Sequence, residues 1–435
     1  MPNLLDLAYG VAAVAASPVW VPSMARRGLL RTDWSARFGH GEPLADKKSP
    51  RVLLHAVSVG EVNATDLLVD ELMSGPDPVE PIVAAMTDTG IARAESLFRD
   101  RCPVVRFPFD SSTAVRRLLD RVQPDAVGLV ELEVWPNFLG ACERRGIPVA
   151  VINGRLSERS FGRYRRSGPI GRRLFRPLVA VACQDETYAA RFRAVGVPAD
   201  RVEITGSMKW DTARIADEVP GADELAEAMG IDRSRPLVVA GSTAPGEHDL
   251  LRDAMPEGVQ LLCAPRKPEW FDEAARDLPG CARRSRGERS SETGRYLLDT
   301  IGELRAAYGL ADAVVIGRTF VDLGGSDMIE PVALGKPTLV GPDCRHFTVI
   351  ADDLGDAGGI RRCTREDLGI AIADLLDDES ARRRMVEQGR ARIRERQGAT
   401  VRHATLLRSL AGAGSVPASR EGSVAIDTPA EAPVA

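Results

Sequence analysis

Val52-Leu53-Leu54-His55-Ala56-Val57-Ser58-Val59-Gly60-Glu61 is the stretch that decides the fold. Its first six residues are apolar but for one histidine and do not alternate. That is the pattern of a strand covered on both faces, as in a parallel sheet. Gly60 then turns the chain into a helix expected to begin near Val62. The unit repeats, with further strands expected at 81–86, 104–107, 126–130, 148–152 and 178–183. Between them fall helices that include one through Phe98 and one over 111–122. After a junction the rhythm restarts, with strands at 237–241, 259–264, 296–298, 313–317 and 338–341. Helices are expected at 246–254, 268–277, 302–309 and 366–410. Such alternation predicts an α/β protein whose parallel sheets are wound with helices on both faces, the architecture occurring twice.

Composition agrees with two cores. The chain has 435 residues, 44% hydrophobic and 27% charged, a globular balance large enough for two domains. The net charge of −5 supplies no overall basic field for nucleic acid. Seven cysteines without a C-x-x-C pair suggest neither a disulfide framework nor a zinc site, and a reducing cytosol fits them better. Five scattered histidines lack ligand spacing, so no metal is expected.

Residues 1–30 differ from the rest. Apolar residues run from Leu7 through Pro22, with Arg26, Arg27 and Arg31 behind them. The uncharged run is below the roughly 20 residues of a spanning helix, and it lacks the early basic residues of a signal peptide. The expectation is a membrane anchor that is inserted shallowly or just spans, with Tyr9 and Trp20 at the interface and arginines on the cytoplasmic side. The chain therefore divides into an anchor at 1–30, a first domain at 31–205, a junction at 206–235, a second domain at 236–410 and a disordered tail at 411–435.

Doubly wound sheets bind ligands beyond the carboxyl ends of their strands. In the first domain those ends carry Ser58-Val59-Gly60-Glu61, Glu131-Leu132-Glu133-Val134-Trp135-Pro136-Asn137 and Asn153-Gly154-Arg155-Leu156-Ser157-Glu158-Arg159-Ser160. Glu61, beside a glycine turn at a helix start, is the candidate general base. Glu131 directly follows an apolar strand, where partial burial would raise its pKa toward acid/base work.

The second domain offers Gly241-Ser242-Thr243, Pro265-Arg266-Lys267-Pro268-Glu269 and Ile301-Gly302-Glu303, and the junction supplies Gly206-Ser207-Met208-Lys209-Trp210-Asp211. Arg266 and Lys209 can offset phosphate charge. Gly324-Gly325 should end a loop, Ser326 or Asp327 should cap a helix starting near Met328, and Gly335 should stop it. Free N–H groups of such a turn would accept an anion, with Glu330 in the first helical turn. Bases on one domain and anion binders on the other suggest group transfer from a nucleotide-linked donor. The chain has no P-loop, no G-x-S-x-G elbow and no G-x-G-x-x-G after a strand.

Taken together and in order, His55 to Glu61, Glu131 to Asn137, Asn153 to Ser160, Gly206 to Asp211, Pro265 to Glu269 and Asp299 to Leu304 resemble the motifs of the 3-deoxy-D-manno-octulosonic acid (Kdo) transferase family. The resemblance runs from the anchor to about residue 410. It implies the GT-B architecture, two Rossmann-like domains around a cleft, and inverting transfer of Kdo from CMP-Kdo to a lipid A precursor (lipid IVA). It places the enzyme at the cytoplasmic face of the inner membrane and requires no metal or other cofactor. By resemblance Glu61 is the base, and Glu131 and Lys209 stabilise the transition state. Pro265, Arg266, Ile301, Gly302, Glu303 and Asp327, Met328, Ile329 and Glu330 bind CMP.

The chain departs from the family at three places. Gly324-Gly325-Ser326-Asp327 replaces Gly-Gly-His-Asn, Ser242-Thr243-Ala244 replaces Ser-Thr-His, and Asn153-Gly154-Arg155 replaces Asn-Ala-Arg. Losing a histidine removes a donor near the phosphates, and Asp327 adds negative charge there. A GT-B glycosyltransferase with another nucleotide sugar or acceptor is therefore the alternative.

Overall fold

The computed structural model describes residues 3–26, 32–75, 77–289 and 292–412. Arg27, Arg31 and nearly all of the expected tail lie outside them. The chain forms two units, Met1–Thr205 with Thr400–Ala435, and Gly206–Ala399.

The first unit holds a seven-stranded sheet. Its strands are β1 (Arg51–His55), β2 (Glu80–Ala85), β3 (Val104–Arg106), β4 (Ala126–Val130), β5 (Val149–Gly154), β6 (Leu178–Cys183) and β7 (Val202–Ile204). They lie in the order β3-β2-β1-β4-β5-β6-β7, and every pairing is parallel. Strand β1 is buried along its whole length, as its unbroken apolar pattern required. His55 belongs to that core. It is fully buried, stacks on Phe107 at 3.7 Å between ring centroids, and burial holds its pKa down at about 3.

The second unit repeats the plan with β8 (Leu237–Thr243), β9 (Gln260–Pro265), β10 (Ala282–Arg283), β11 (Arg295–Leu297), β12 (Ala313–Ile316), β13 (Thr338–Val340) and β14 (Arg361–Arg362). The order is β10-β11-β9-β8-β12-β13-β14, again with parallel pairs. The two-residue edge strands β10 and β14 were not expected. They are too short to leave a periodic signal.

Three expectations need correction. The second unit begins at Gly206, because Trp210, Ala213, Leu225 and Met229 of the supposed junction are buried in its core. The helical run 366–410 is three helices, Leu368–Asp377, Glu379–Arg396 and Ala399–Leu410. Asp378 caps the second through its side chain and the Ala381 N–H (2.8 Å), and Gly398 breaks the chain at φ +101°. Finally, Ala399–Leu410 packs on the first unit, so that unit does not end at 205. Leu407 is fully buried and lies against the Gly128 position of β4. His403 Nε2 accepts from the Asn153 N–H at 3.2 Å and pairs with Thr205 Oγ1 at 2.8 Å.

The N-terminal helix Leu4–Arg26 has 23 residues, about 35 Å at 1.5 Å per residue. Its stretch Leu5–Arg26 is long and apolar enough to cross a membrane and has none of its apolar window buried. Its base is tied to the first unit. Asp6 accepts from the Ser112 N–H at 2.8 Å and from Asn137 Nδ2 at 3.1 Å, and Tyr9 donates to Asp110 at 3.3 Å.

Candidate active site

In each unit the strand order reverses beside the first strand, between β1 and β4 and between β8 and β12. Ligands of doubly wound sheets bind outside the carboxyl ends at this point.

In the first unit the β1 exit carries Glu61. Ser58 is the N-cap of the helix Val59–Ala64, which starts three residues before the expected Val62. Glu61 Oε2 accepts from the Val57 N–H at 2.8 Å, and Oε1 accepts from Ser58 Oγ at 2.9 Å. Ser58-x-x-Glu61 is therefore a variant of the capping box, a signal present in the sequence but read there only as a turn. Burial pushes the Glu61 carboxyl up, the Val57 and Ser58 bonds pull it back, and the charge of Glu131 adds to the rise.

The β4 exit carries Glu131, half-buried, at φ +60°. A non-glycine residue in the left-handed region is strained, and such strain gathers at functional sites. Asn153 on neighbouring β5 is likewise at φ +50°. Two backbone bonds hold the crossing of these tips, from Glu131 N to Ile152 O (3.0 Å) and from Arg155 N to Glu131 O (3.1 Å). Glu133, quoted in the sequence motif but given no role there, is pushed up to about 7. Burial is the main cause, followed by the charge of Glu61; Glu131 adds to it and Trp135 opposes it. The three carboxylates thus sense one another, and the group can take up a proton near neutrality.

In the second unit Pro265 ends β9 in the core while Arg266 stands exposed. The Arg266 N–H bonds Thr243 O at 2.9 Å, which ties the β9 exit to β8. Lys209 is exposed, with Nζ 4.4 Å from the Phe347 ring centroid, a cation–π contact that holds the ammonium in place. Ile301 is 73% exposed and Gly302 sits at φ +100°. Glu303 is already engaged by Arg284 at 2.8 Å, and that bond is the main reason its carboxyl is held below the usual range.

The stretch Gly324 to Glu330 differs from expectation. Gly324 N bonds Asp343 (2.7 Å), Gly325 N bonds Arg318 O (2.8 Å) and Ile329 N bonds Asp327 (2.9 Å). Three N–H groups expected to face an anion are therefore committed within the protein. Neither Ser326 nor Asp327 is the cap: the N-cap of the helix, which runs only Ile329–Ala333, is Met328, with no side-chain cap bond. Met328 and Ile329 are buried side chains, so they could meet a ligand only through backbone. Glu330 is paired with Arg305 at 3.0 Å.

Glu247 was missed in the sequence. It is 1% exposed and accepts from the N–H groups of Ala244 (2.9 Å), Arg318 (2.8 Å) and Phe320 (3.1 Å). It thereby pins the exits of β8 and β12 to each other across the second reversal point. Ser242 and Arg318 there have φ of +58° and +63°, and a Cβ on Gly317 would lie 2.5 Å from the Thr243 backbone. The packing at this point is tight, and only glycine fits it. Among the described residues no group of His, Cys, Asp and Glu converges as a metal site would.

A family profile described as 3-Deoxy-D-manno-octulosonic-acid transferase (kdotransferase) matches residues 32–212. The chain is 34% identical to a 3-deoxy-D-manno-octulosonic acid transferase of Bordetella pertussis, over 88% of this chain and 94% of the relative. It is 30% identical to the protein of the same description from Haemophilus influenzae, over 82% and 86%. Among solved structures it resembles a glycosyltransferase from Rickettsia africae, with a TM-score of 0.57, 10% identity and coverage of 83% and 99%. That likeness concerns the fold, which is of the GT-B kind.

Proposed function

This chain belongs to the Kdo transferase family, and from that membership we propose that it transfers Kdo from CMP-Kdo to lipid IVA with inversion at the anomeric carbon. Kdo transfer in lipopolysaccharide biosynthesis is the family's reaction. Glu61 takes the proton of the acceptor hydroxyl. The freed oxygen attacks the anomeric carbon, the bond from that carbon to the phosphate-linked oxygen breaks, and CMP leaves with the electron pair. Arg266 and Lys209 meet the charge that grows on the departing phosphate. Pro265, Ile301, Gly302, Glu303 and Asp327 to Glu330 line the nucleotide, and Glu131 steadies positive character at the sugar.

One observation carries the reading. A half-buried carboxylate at the β1 exit, aimed by the Val57 N–H and Ser58 Oγ, has its proton affinity raised by burial and by the charge of Glu131, the direction that a general base needs. The decisive experiment incubates the protein with CMP-Kdo and lipid IVA and weighs the lipid by mass spectrometry. A gain of whole Kdo units is expected, and it should persist in EDTA, since no metal is proposed. An unchanged lipid in the presence of protein that still binds CMP would overturn the proposal.

A second reading keeps the architecture but changes the donor or acceptor. Exposed Asp327 favours it, because a carboxylate stands where the family's asparagine would face the donor. Inhibition by CMP and not by UDP supports the first reading, and the reverse order supports the second. We also place the protein at the cytoplasmic face of the inner membrane, on the strength of the apolar helix Leu5–Arg26.

A further inference from the structure

We propose that His346 is a further donor-binding residue, whose imidazole hydrogen-bonds the phosphate of the nucleotide sugar as that phosphate departs. His346 thereby joins the donor site of the reading above, on which the assignment rests. Every residue involved belongs to the second unit. The loop 341–347 leaves the carboxyl end of β13, and the loop 317–328 leaves that of β12. The two strands are parallel neighbours, so their exits lie side by side on the edge where doubly wound sheets take ligands.

The first loop clasps the second at Gly324. Asp343 accepts from the Gly324 N–H at 2.7 Å, and the His346 N–H donates to the Gly324 carbonyl at 2.9 Å. The His346 ring covers the same glycine. A Cβ on Gly324, which sits at φ +76°, would lie 2.6 Å from Nδ1 and 2.8 Å from Cε1 and Cγ. Only glycine lets the ring come so close. The Nδ1 side of the ring therefore faces the loop, and Nε2 is left on the outer edge. His346 is exposed, and among the described residues neither ring nitrogen has a hydrogen-bond partner.

The next residue ties this ring to Lys209. Phe347 holds Lys209 Nζ at 4.4 Å from its ring centroid, and its own N–H bonds Cys344 O at 2.8 Å. Neighbouring residues of one fixed turn thus present an unengaged imidazole and a cation assigned to the departing phosphate. Other groups there are spoken for. Arg345 is paired with Asp322 and, at 2.8 Å, with Asp343. The Ser326 hydroxyl is buried, so it does not reach out of the loop. Exposed Asp327 adds negative charge, which increases the need for a donor facing the phosphate. The Nε2–H donates to a non-bridging phosphate oxygen. When the bond from the anomeric carbon to the linking oxygen breaks, the electron pair stays with the phosphate. The hydrogen bond strengthens as that negative charge grows, and His346 keeps its proton.

The test compares nucleotide with nucleoside, which differ by the phosphate. Dissociation constants of CMP and cytidine are measured on the full chain by isothermal titration, with UDP and uridine in parallel. The native protein should bind CMP more tightly than cytidine. In His346→Ala the affinity for CMP should fall about tenfold or more, as for loss of one hydrogen bond to a charged group, while cytidine binds as before. His346→Gln keeps a neutral donor and should lose only about three- to fivefold. Should the alanine variant fail to fold, the glutamine variant is read alone by the same ratio. In turnover, kcat/KM for the donor should fall by at least the binding factor, while the KM for the lipid acceptor stays native. A merely structural role would weaken cytidine as much as CMP, and that result would overturn the proposal. So would an alanine variant with the native ratio, or a native chain that binds neither nucleotide better than its nucleoside. If UDP binds in place of CMP, the Kdo reading fails, and His346 is judged by UDP against uridine.

Discussion

Glu61 answers to two demands, since its carboxylate both closes a helix start and serves as the proposed base. Glutamine separates them. In Glu61→Gln the side-chain oxygen can still accept from Val57 N, and the amide can donate to a rotated Ser58 hydroxyl, so both bonds of the native carboxylate have counterparts. The variant should unfold at the native urea midpoint and still bind CMP while turnover falls roughly 10²–10⁴-fold. Near-native turnover would remove Glu61 from the role. Glu133 makes a separate prediction through pH. Its folded pKa of about 7 lies above the ordinary glutamate value of 4.5, so the folded state holds its proton more tightly. Its contribution to stability is therefore full below about pH 4.5 and is lost as pH rises through 7. Glu133→Gln should match the native protein near pH 4 and exceed it by on the order of 1–3 kcal/mol at pH 8. A gap that does not widen with pH would contradict this. The capping role of Glu61 was legible as Ser58-x-x-Glu61, but the proton affinity of Glu133 was not. It arises from burial and then from the charge of Glu61, which only the folded sheet brings near it.

At the scale of elements, apolar runs gave the strands closely. The expected 126–130 and 178–183 coincide with β4 and β6, because a strand covered on both faces writes its whole length in hydrophobic residues. Helix boundaries depended on caps, and caps reach across the chain. The helix Pro136–Arg145 begins at Trp135, which offers no side-chain cap. Asp110, from the loop after β3, accepts instead from the N–H groups of Asn137 (3.0 Å) and Phe138 (2.9 Å). No local pattern can reveal a cap supplied from so far away. Asp110→Ala would orphan two buried N–H groups and release Tyr9, at a cost of about 2–4 kcal/mol. Urea unfolding should show this loss, with Asp110→Asn intermediate because one acceptor oxygen remains. A variant as stable as the native chain would mean that water replaces the carboxylate.

At the scale of the molecule, the repeated strand–helix rhythm announced two sheets but could not say which of them owns the last helix. Ala399–Leu410 follows the second unit in sequence and packs on the first, and its apolar stripe reads the same in either place. The difference has a consequence for fragments. Gly206–Ala399 is continuous and carries its own sheet and core, so it should fold when expressed alone. Residues 32–205 lack Leu407, which is fully buried against β4, Arg408, which pairs with Glu71, and His403, which bonds Asn153 and Thr205. Losing Leu407 alone should cost about 3 kcal/mol or more, through lost burial and the void left behind. That is a large share of the 5–15 kcal/mol by which whole domains are stable. The fragment 32–205 should therefore give a poorly dispersed amide spectrum, and a peptide of residues 399–412 supplied in trans should restore dispersion. A well-dispersed spectrum without the peptide would show that the first sheet completes its core unaided, and the closing helix would then be a fastening rather than part of the fold.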